Sequence, residues 1–171
     1  LVMSGGNYVP TACKQFEGRK EQGIVADYVI VMGYDEQYAG GEPGSVASLE
    51  FVRSGIENTL KDVPKEKLIN GVPFYTRLWT ETLEGVESKA LGISAAKKWI
   101  EENDVELYWQ EPLGQYYGEH QTEDGIQYLW MEEEDSLREK MDLIREHDLA
   151  GVACWKLGLE DAAAWDSIRW Q

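Results

Sequence analysis

Apolar positions along this chain alternate between two periodicities. Asp27-Tyr28-Val29-Ile30-Val31-Met32 is a continuous apolar run behind an acidic residue, the form of a strand buried on both faces. Leu68-Ile69-Asn70-Gly71-Val72-Pro73-Phe74-Tyr75 is a second such run, and Leu149 through Trp155 is a third. The opening Leu1-Val2-Met3-Ser4 is a fourth candidate. Helical spacing fills the intervals. Leu49, Val52, Ile56 and Leu60 recur at three- and four-residue steps, predicting a helix from Ser48 to Lys61 that Val63-Pro64 stops. Ser136 and Glu139 read as a capping box ahead of a helix whose Leu137, Met141 and Ile144 face inward. His147 suits the negative end of that helix's dipole. A last helix is predicted from Ala162 to Trp170, behind Glu160-Asp161.

Strand, helix and strand in this order predict an α/β fold with a parallel sheet. A long excursion from about Thr80 to Glu134 interrupts it with a different pattern. Ser94 can cap a short helix through Glu102, after which Glu106–Gln110, Gln115–Gln121 and Ile126–Glu132 read as antiparallel strands. Thr122-Glu123-Asp124-Gly125 joins the last two, and Asp-Gly is a strong hairpin signal. The chain therefore divides, on expectation, into residues 1–79, an α+β insertion over 80–134, and a return to the main fold over 135–171.

Charge narrows the function classes. The net charge is −16 and the pI about 4.4, a surface that repels a phosphate backbone and argues against nucleic-acid binding. No run approaches the roughly 20 apolar residues of a membrane span. Cys13 and Cys154 are too few for a disulfide framework. Glu132-Glu133-Glu134-Asp135 precedes a helix, where acidic residues favour the positive end of the dipole, and reads as a helix start rather than a calcium site. No metal or cofactor site is read from the sequence. Seven Trp and nine Tyr in 171 residues are unusual, and such side chains serve a core, an interface or a sugar-stacking surface.

In parallel α/β structures the chemistry collects at the C-terminal strand ends. Here those ends are Met32-Gly33-Tyr34-Asp35, Tyr75-Thr76-Arg77-Leu78-Trp79 and Cys154-Trp155-Lys156. One carboxylate, two phenols, a guanidinium and an indole at one mouth suit a neutral, hydroxyl-rich ligand. Each also has a plainer structural reading: Tyr34 as a lid on the core, Asp35 as a loop cap, Trp155 as packing, Arg77 as a surface ion pair.

These segments resemble glycoside hydrolase family 18. Met32-Gly33-Tyr34-Asp35 is similar to the family's Met-x-Tyr-Asp on strand six, Gly71 through Arg77 to its strand seven, and Trp155 to its strand-eight Trp. Asp27 to Trp79 most resembles the bacterial spore-cortex and cell-wall N-acetylglucosaminidases. The resemblance implies the C-terminal half, strands five to eight, of a (β/α)8 TIM barrel with a small α+β insertion between strands seven and eight. It implies hydrolysis of β-1,4-linked N-acetylglucosamine polymers, with the substrate's own acetamide oxygen as nucleophile. Tyr34 and Asp35 would be catalytic, and Met32, Asn7, Tyr75, Arg77 and Trp155 would bind substrate. A cell-wall, spore or extracellular setting follows from the same resemblance.

One part of the family pattern is missing. Its general acid closes a D-x-x-D-x-D-x-E run on strand four, and no such run occurs in this sequence. Ser4-Gly5-Gly6 is similar to the family's S-x-G-G on strand three. Yet only about two dozen residues separate Gly6 from Met32, too few for the intervening strands when one βαβ unit takes roughly 30 or more. Leu1 to Pro10 is therefore read as strand five, with Asn7 and Tyr8 at its mouth. The chain alone is expected to be inactive and to need either a missing N-terminal half-barrel or self-association. A non-catalytic carbohydrate-binding or scaffold protein on the same barrel is the alternative reading, and an unrelated α/β domain with packed aromatics is a remoter one.

Overall fold

The computed structural model describes residues 2–4 and 19–169. Four strands form a parallel sheet: β1 (Val2–Ser4), β2 (Val29–Met32), β3 (Leu68–Pro73) and, far along the chain, β9 (Gly151–Trp155), side by side in that order. Helices α1 (Arg19–Val25) and α2 (Leu49–Leu60) fall in the connections between the first three. Between β3 and β9 the chain builds β4 (Tyr75–Thr82), β5 (Gly85–Gly92), helix α3 (Ile93–Glu102), β6 (Leu107–Gln110), β7 (Gln115–Gln121) and β8 (Gly125–Met131). These five strands make a separate antiparallel sheet in the order β5-β4-β8-β7-β6. Helix α4 (Glu134–Glu146) returns the chain to β9, and α5 (Ala162–Ser167) follows it.

Local chemistry explains the boundaries. Ser48 caps α2 by accepting a hydrogen bond from the Phe51 amide at 3.2 Å, and Val52 and Ile56 of the apolar face are fully buried. Helix α4 corrects the expected cap. Glu133, not Ser136, is the N-cap: its carboxylate accepts from the amides of Asp135 and Ser136, while the Ser136 hydroxyl accepts from the Glu133 amide. The box is the same device with the two residue types exchanged. The inward face of Leu137, Met141 and Ile144 is as expected, each fully buried. His147 is the C-cap, its Nδ1 2.9 Å from the Leu143 carbonyl. Asp161 caps α5, which ends at Ser167, short of the expected Trp170.

The apolar run from Leu68 to Tyr75 splits between two sheets. Pro73 is the last residue of β3, the Phe74 amide donates to the Trp155 carbonyl at 2.7 Å, and Tyr75 already belongs to the antiparallel sheet. Buried Phe74 meets the edge of Trp165 at a centroid distance of 5.4 Å and anchors this change of sheet. Strand β5 was not foreseen. It carries Glu87, Ser88 and Lys89 in succession, so it lacks the alternation that marks a half-buried strand. The hairpin between β7 and β8 closes around residues 122–125 as the Asp-Gly signal predicts, with Gln121 opposite Ile126.

A buried polar chain ties the antiparallel sheet and helix α4 to the loop after β2. Ser45 donates to the Gln115 side-chain oxygen, and the Gln115 side-chain amide donates to Glu132. Glu132 also accepts from the Ser136 hydroxyl at 3.0 Å and pairs with the Lys140 ammonium at 3.0 Å. Glu132 and Lys140 are both completely inaccessible to solvent. Burial pushes the Glu132 carboxyl up, while Lys140, Ser136 and Gln115 pull it down. Among the described residues no helix is long and apolar enough to cross a membrane.

Removing one member of a buried ion pair strands the other charge, which typically costs about 3–5 kcal/mol. Lys140→Met is therefore expected to lower unfolding free energy by about that amount in urea titrations. The double variant Lys140→Met with Glu132→Gln recovers a large part of the loss.

Candidate functional site

Because β2, β3 and β9 run parallel, the segments that leave their C-terminal ends emerge on one side of the sheet. Tyr34 and Asp35 follow β2, Tyr75 opens β4 just past β3, and Trp155 closes β9. The structure brings all four together. The Tyr75 hydroxyl donates a hydrogen bond to Oδ1 of Asp35. The Tyr34 ring stacks on Trp155 with centroids 6.5 Å apart and planes 25° from parallel, and it meets Tyr75 edge-on at 6.4 Å.

A cavity of about 180 Å³ lies against these rings, lined by Ile30, Met32, Tyr34, Gly71, Ala153, Cys154 and Trp155. Met32 thus reaches the site as expected. Ile30, Gly71, Ala153 and Cys154 were not among the residues expected to bind substrate. The register Met32↔Gly71↔Ala153 sets three of these lining residues level across neighbouring strands, and the signal for them is their spacing from the strand ends. Glycine at 71 has a physical reason: a Cβ there would lie 3.0 Å from Cε1 of Tyr34 and 3.0 Å from the Val31 carbonyl. The bare backbone lets the Tyr34 ring rest against the strand.

Burial, with Asp35 adding to it, raises the Tyr34 hydroxyl above its usual range. Burial also raises Tyr75, helped by its hydrogen bond to Asp35. Both phenols are therefore protonated donors at neutral pH. The Cys154 thiol is pushed up to about 11, chiefly by burial, which makes it an unreactive wall rather than a nucleophile. Asp35 takes a left-handed backbone, φ 60°, a conformation Asp tolerates better than most residues. The loop behind it is pinned: the Glu36 amide donates to the Val46 carbonyl at 2.9 Å, and Oε2 of Glu36 accepts from the Ser48 amide at 2.7 Å.

Trp155 leaves 54% of its surface exposed, so much of the indole is open to a ligand. Arg77 stands on the same face of β4 as Tyr75, two residues along. It donates to Ser88 at 3.1 Å and sits 5.9 Å from the centre of the Trp79 ring, and its Nε is buried with no partner. It is not among the residues that line the cavity. Asn7 lies outside the described residues. The arrangement offers two phenol donors, one carboxylate and an open indole.

Comparison with known proteins fits this architecture. The sequence profile of the glycosyl hydrolases family 18 matches residues 9–160, and the chain belongs to that family. The cortical fragment-lytic enzyme of Bacillus subtilis is 30% identical over 149 residues, which cover 85% of this chain and 35% of that protein. The spore cortex-lytic enzyme SleL of Bacillus megaterium superposes with a TM-score of 0.84 at 26% identity, over 98% of this chain and 39% of SleL. A chitinase from Chromobacterium violaceum shares the fold, with a TM-score of 0.89 at 20% identity, over 98% of this chain and 53% of the chitinase. The chain spans about a third of the length of the curated relatives it matches.

Adding a methyl group at position 71 tests the packing of the site. Gly71→Ala is expected to displace the Tyr34 ring, lowering stability by about 1–3 kcal/mol. It also changes the near-ultraviolet circular dichroism of the Tyr34–Trp155 stack. Tyr75→Phe removes the donor to Asp35, and a hydrogen bond to a charged group is worth about 1.5–3 kcal/mol, read by denaturant titration.

Proposed function

We propose that this chain is the sugar-holding part of a glycosidase that cuts β-1,4-linked N-acetylglucosamine polymers, peptidoglycan of the spore cortex or chitin. The observation that carries the reading is the Tyr34–Asp35–Tyr75–Trp155 cluster, in which a carboxylate held by a phenol stands beside a stacked, half-open indole. In this reading the parallel sheet is strands five to eight of a (β/α)8 barrel, and the antiparallel sheet is its insertion, which was expected over 80–134 and begins with the strand at Tyr75.

The cluster suits substrate-assisted, retaining hydrolysis. Trp155 takes the apolar face of the sugar. Tyr34 donates to the acetamide oxygen, and Asp35, held from the other side by Tyr75, orients the acetamide for attack on the anomeric carbon. Positioned intramolecular attack reaches effective molarities of about 10⁵ M or more, which is what the two catalytic residues supply by alignment. Met32 lines the floor, and the family resemblance gives Arg77 and Asn7 further substrate-binding roles. Protonation of the leaving oxygen, worth about 10²–10⁴-fold, needs an acid that this cluster does not contain.

The acid must come from a further barrel half in an N-terminal segment; self-association with a second copy of this chain would pair the open sheet edges without supplying it. The similar cortex-lytic proteins favour a cell-wall or spore setting. A carbohydrate-binding role without catalysis is the second reading, since the open Trp155 indole and the phenol-held carboxylate serve binding alone as well.

The test is paired. Tetra-N-acetylchitotetraose is expected to quench tryptophan fluorescence of the protein, and Trp155→Ala and Tyr34→Phe each weaken that binding about tenfold or more, as expected for the loss of a buried stacking or hydrogen-bonding contact. No reducing ends are released by the chain on its own. Undiminished binding by both variants refutes the site, and substantial turnover refutes the division of labour.

A further inference from the structure

The antiparallel sheet presents a second aromatic surface. Tyr75, Arg77 and Trp79 alternate with Thr76 and Leu78 along β4 and so share a face. Pairing of Trp79 with Tyr128, of Tyr128 with Glu119, of Trp130 with Tyr117 and of Tyr117 with Tyr108 carries that face across β8, β7 and β6. Tyr117 lies 5.2 Å from Trp130 and 6.4 Å from Tyr128, and Tyr128 meets Trp130 edge-on at 5.9 Å. The planes are tilted by 42° to 88°, so the rings form angled walls rather than a flat shelf. Tyr117 and Trp130 are partly open, and Tyr108 is 56% exposed.

Carboxylates rim these rings. The Tyr117 hydroxyl donates to Glu119 at 2.7 Å and the Tyr128 hydroxyl to Glu81 at 3.1 Å. The Tyr108 hydroxyl is raised above its usual range first by a hydrogen bond to Glu106. All three acids are exposed. None of the ion pairs among the described residues involves them. A neutral sugar has no need of three carboxylates that lack a cationic side-chain partner. Angled aromatic faces with carboxylates beside them are the combination that holds an ammonium group, through ring quadrupole and charge together.

We propose that this face binds glucosamine units, whose free amine is protonated, in a partly de-N-acetylated glycan that runs from the Tyr34–Trp155 pocket across the insertion. The inference rests on the pocket being a site for N-acetylglucosamine polymers and adds a preference within that class. Continuity of the sheet supports it: Tyr75 and Trp79, both buried, stand roughly 13 Å apart along the strand that joins the pocket to this face, whose open part is Tyr117, Trp130 and Tyr108. Tyr75 meets Tyr34 of the pocket edge-on, and Trp79 is paired with Tyr128 of the aromatic face. The occupant is set by charge complementarity, since the whole chain carries −16.

Isothermal titration with chito-oligosaccharides of equal length, one fully acetylated and one partly de-N-acetylated, tests this directly. At low salt the amine-bearing oligomer is expected to bind about tenfold more tightly, the scale of one added cation–aromatic and charge interaction. The gap closes in the double variant Glu81→Gln with Glu119→Gln, closes in Trp130→Ala, and shrinks at about 0.5 M salt. Equal affinities for the two oligomers, or a gap that survives the double variant, overturn the proposal. Trp155→Ala separates the two claims, because it weakens both oligomers alike if the pocket reading holds. Unchanged binding by Trp155→Ala sinks the pocket while the gap still judges this face.

Discussion

The contact between Glu132 and Lys140 constrains the rest of this molecule. Two opposite charges stand in full burial, and each tolerates that environment only while the other is present. Lys140 lies on α4, Glu132 on the segment leaving β8, and Gln115 on β7 extends the network to Ser45 in the loop behind Asp35. One polar chain therefore sets the angle between the insertion and the helix that returns to β9. It also fixes the loop that begins with the candidate carboxylate. Apolar packing alone would permit sliding between these bodies; directional hydrogen bonds permit far less.

The same logic operates at the site on a smaller scale. Asp35 adopts a left-handed backbone, Tyr75 grips its carboxylate, and Glu36 anchors the next turn to the start of α2. Trp79 adds a hydrogen bond from its indole nitrogen to the Gly44 carbonyl at 3.0 Å, so the hairpin wall and the loop share an attachment. The groups proposed to meet a ligand are thus oriented before it arrives, which reduces the ordering cost of binding.

Much of this was legible in the sequence because the parallel strands are unbroken apolar runs and their ends carry unusual residues. Tyr34, Tyr75 and Trp155 were found by position relative to those runs, and family 18 membership followed from the same segments. Other features left no pattern to read. Strand β5 has polar residues on both faces and is held by its pairing with β4. Lys140 and Glu132 look like ordinary surface charges, since only tertiary packing brings a lysine and a glutamate eight residues apart into a dry interior. The exchanged capping box at Glu133 and Ser136 shows a related limit: sequence reveals that a cap is present, whereas its register depends on where β8 lets go of the chain.

The strand order also has a temporal side. The five antiparallel strands all lie between Tyr75 and Met131, so their partners are made close together during synthesis. Ile69 of β3, by contrast, must wait for Gly151 before its second neighbour exists. Closing a short loop costs less chain entropy than closing a long one. The appendage is thus cheaper to assemble than the sheet that bears it, and a growing polypeptide can finish the guest before the host is complete.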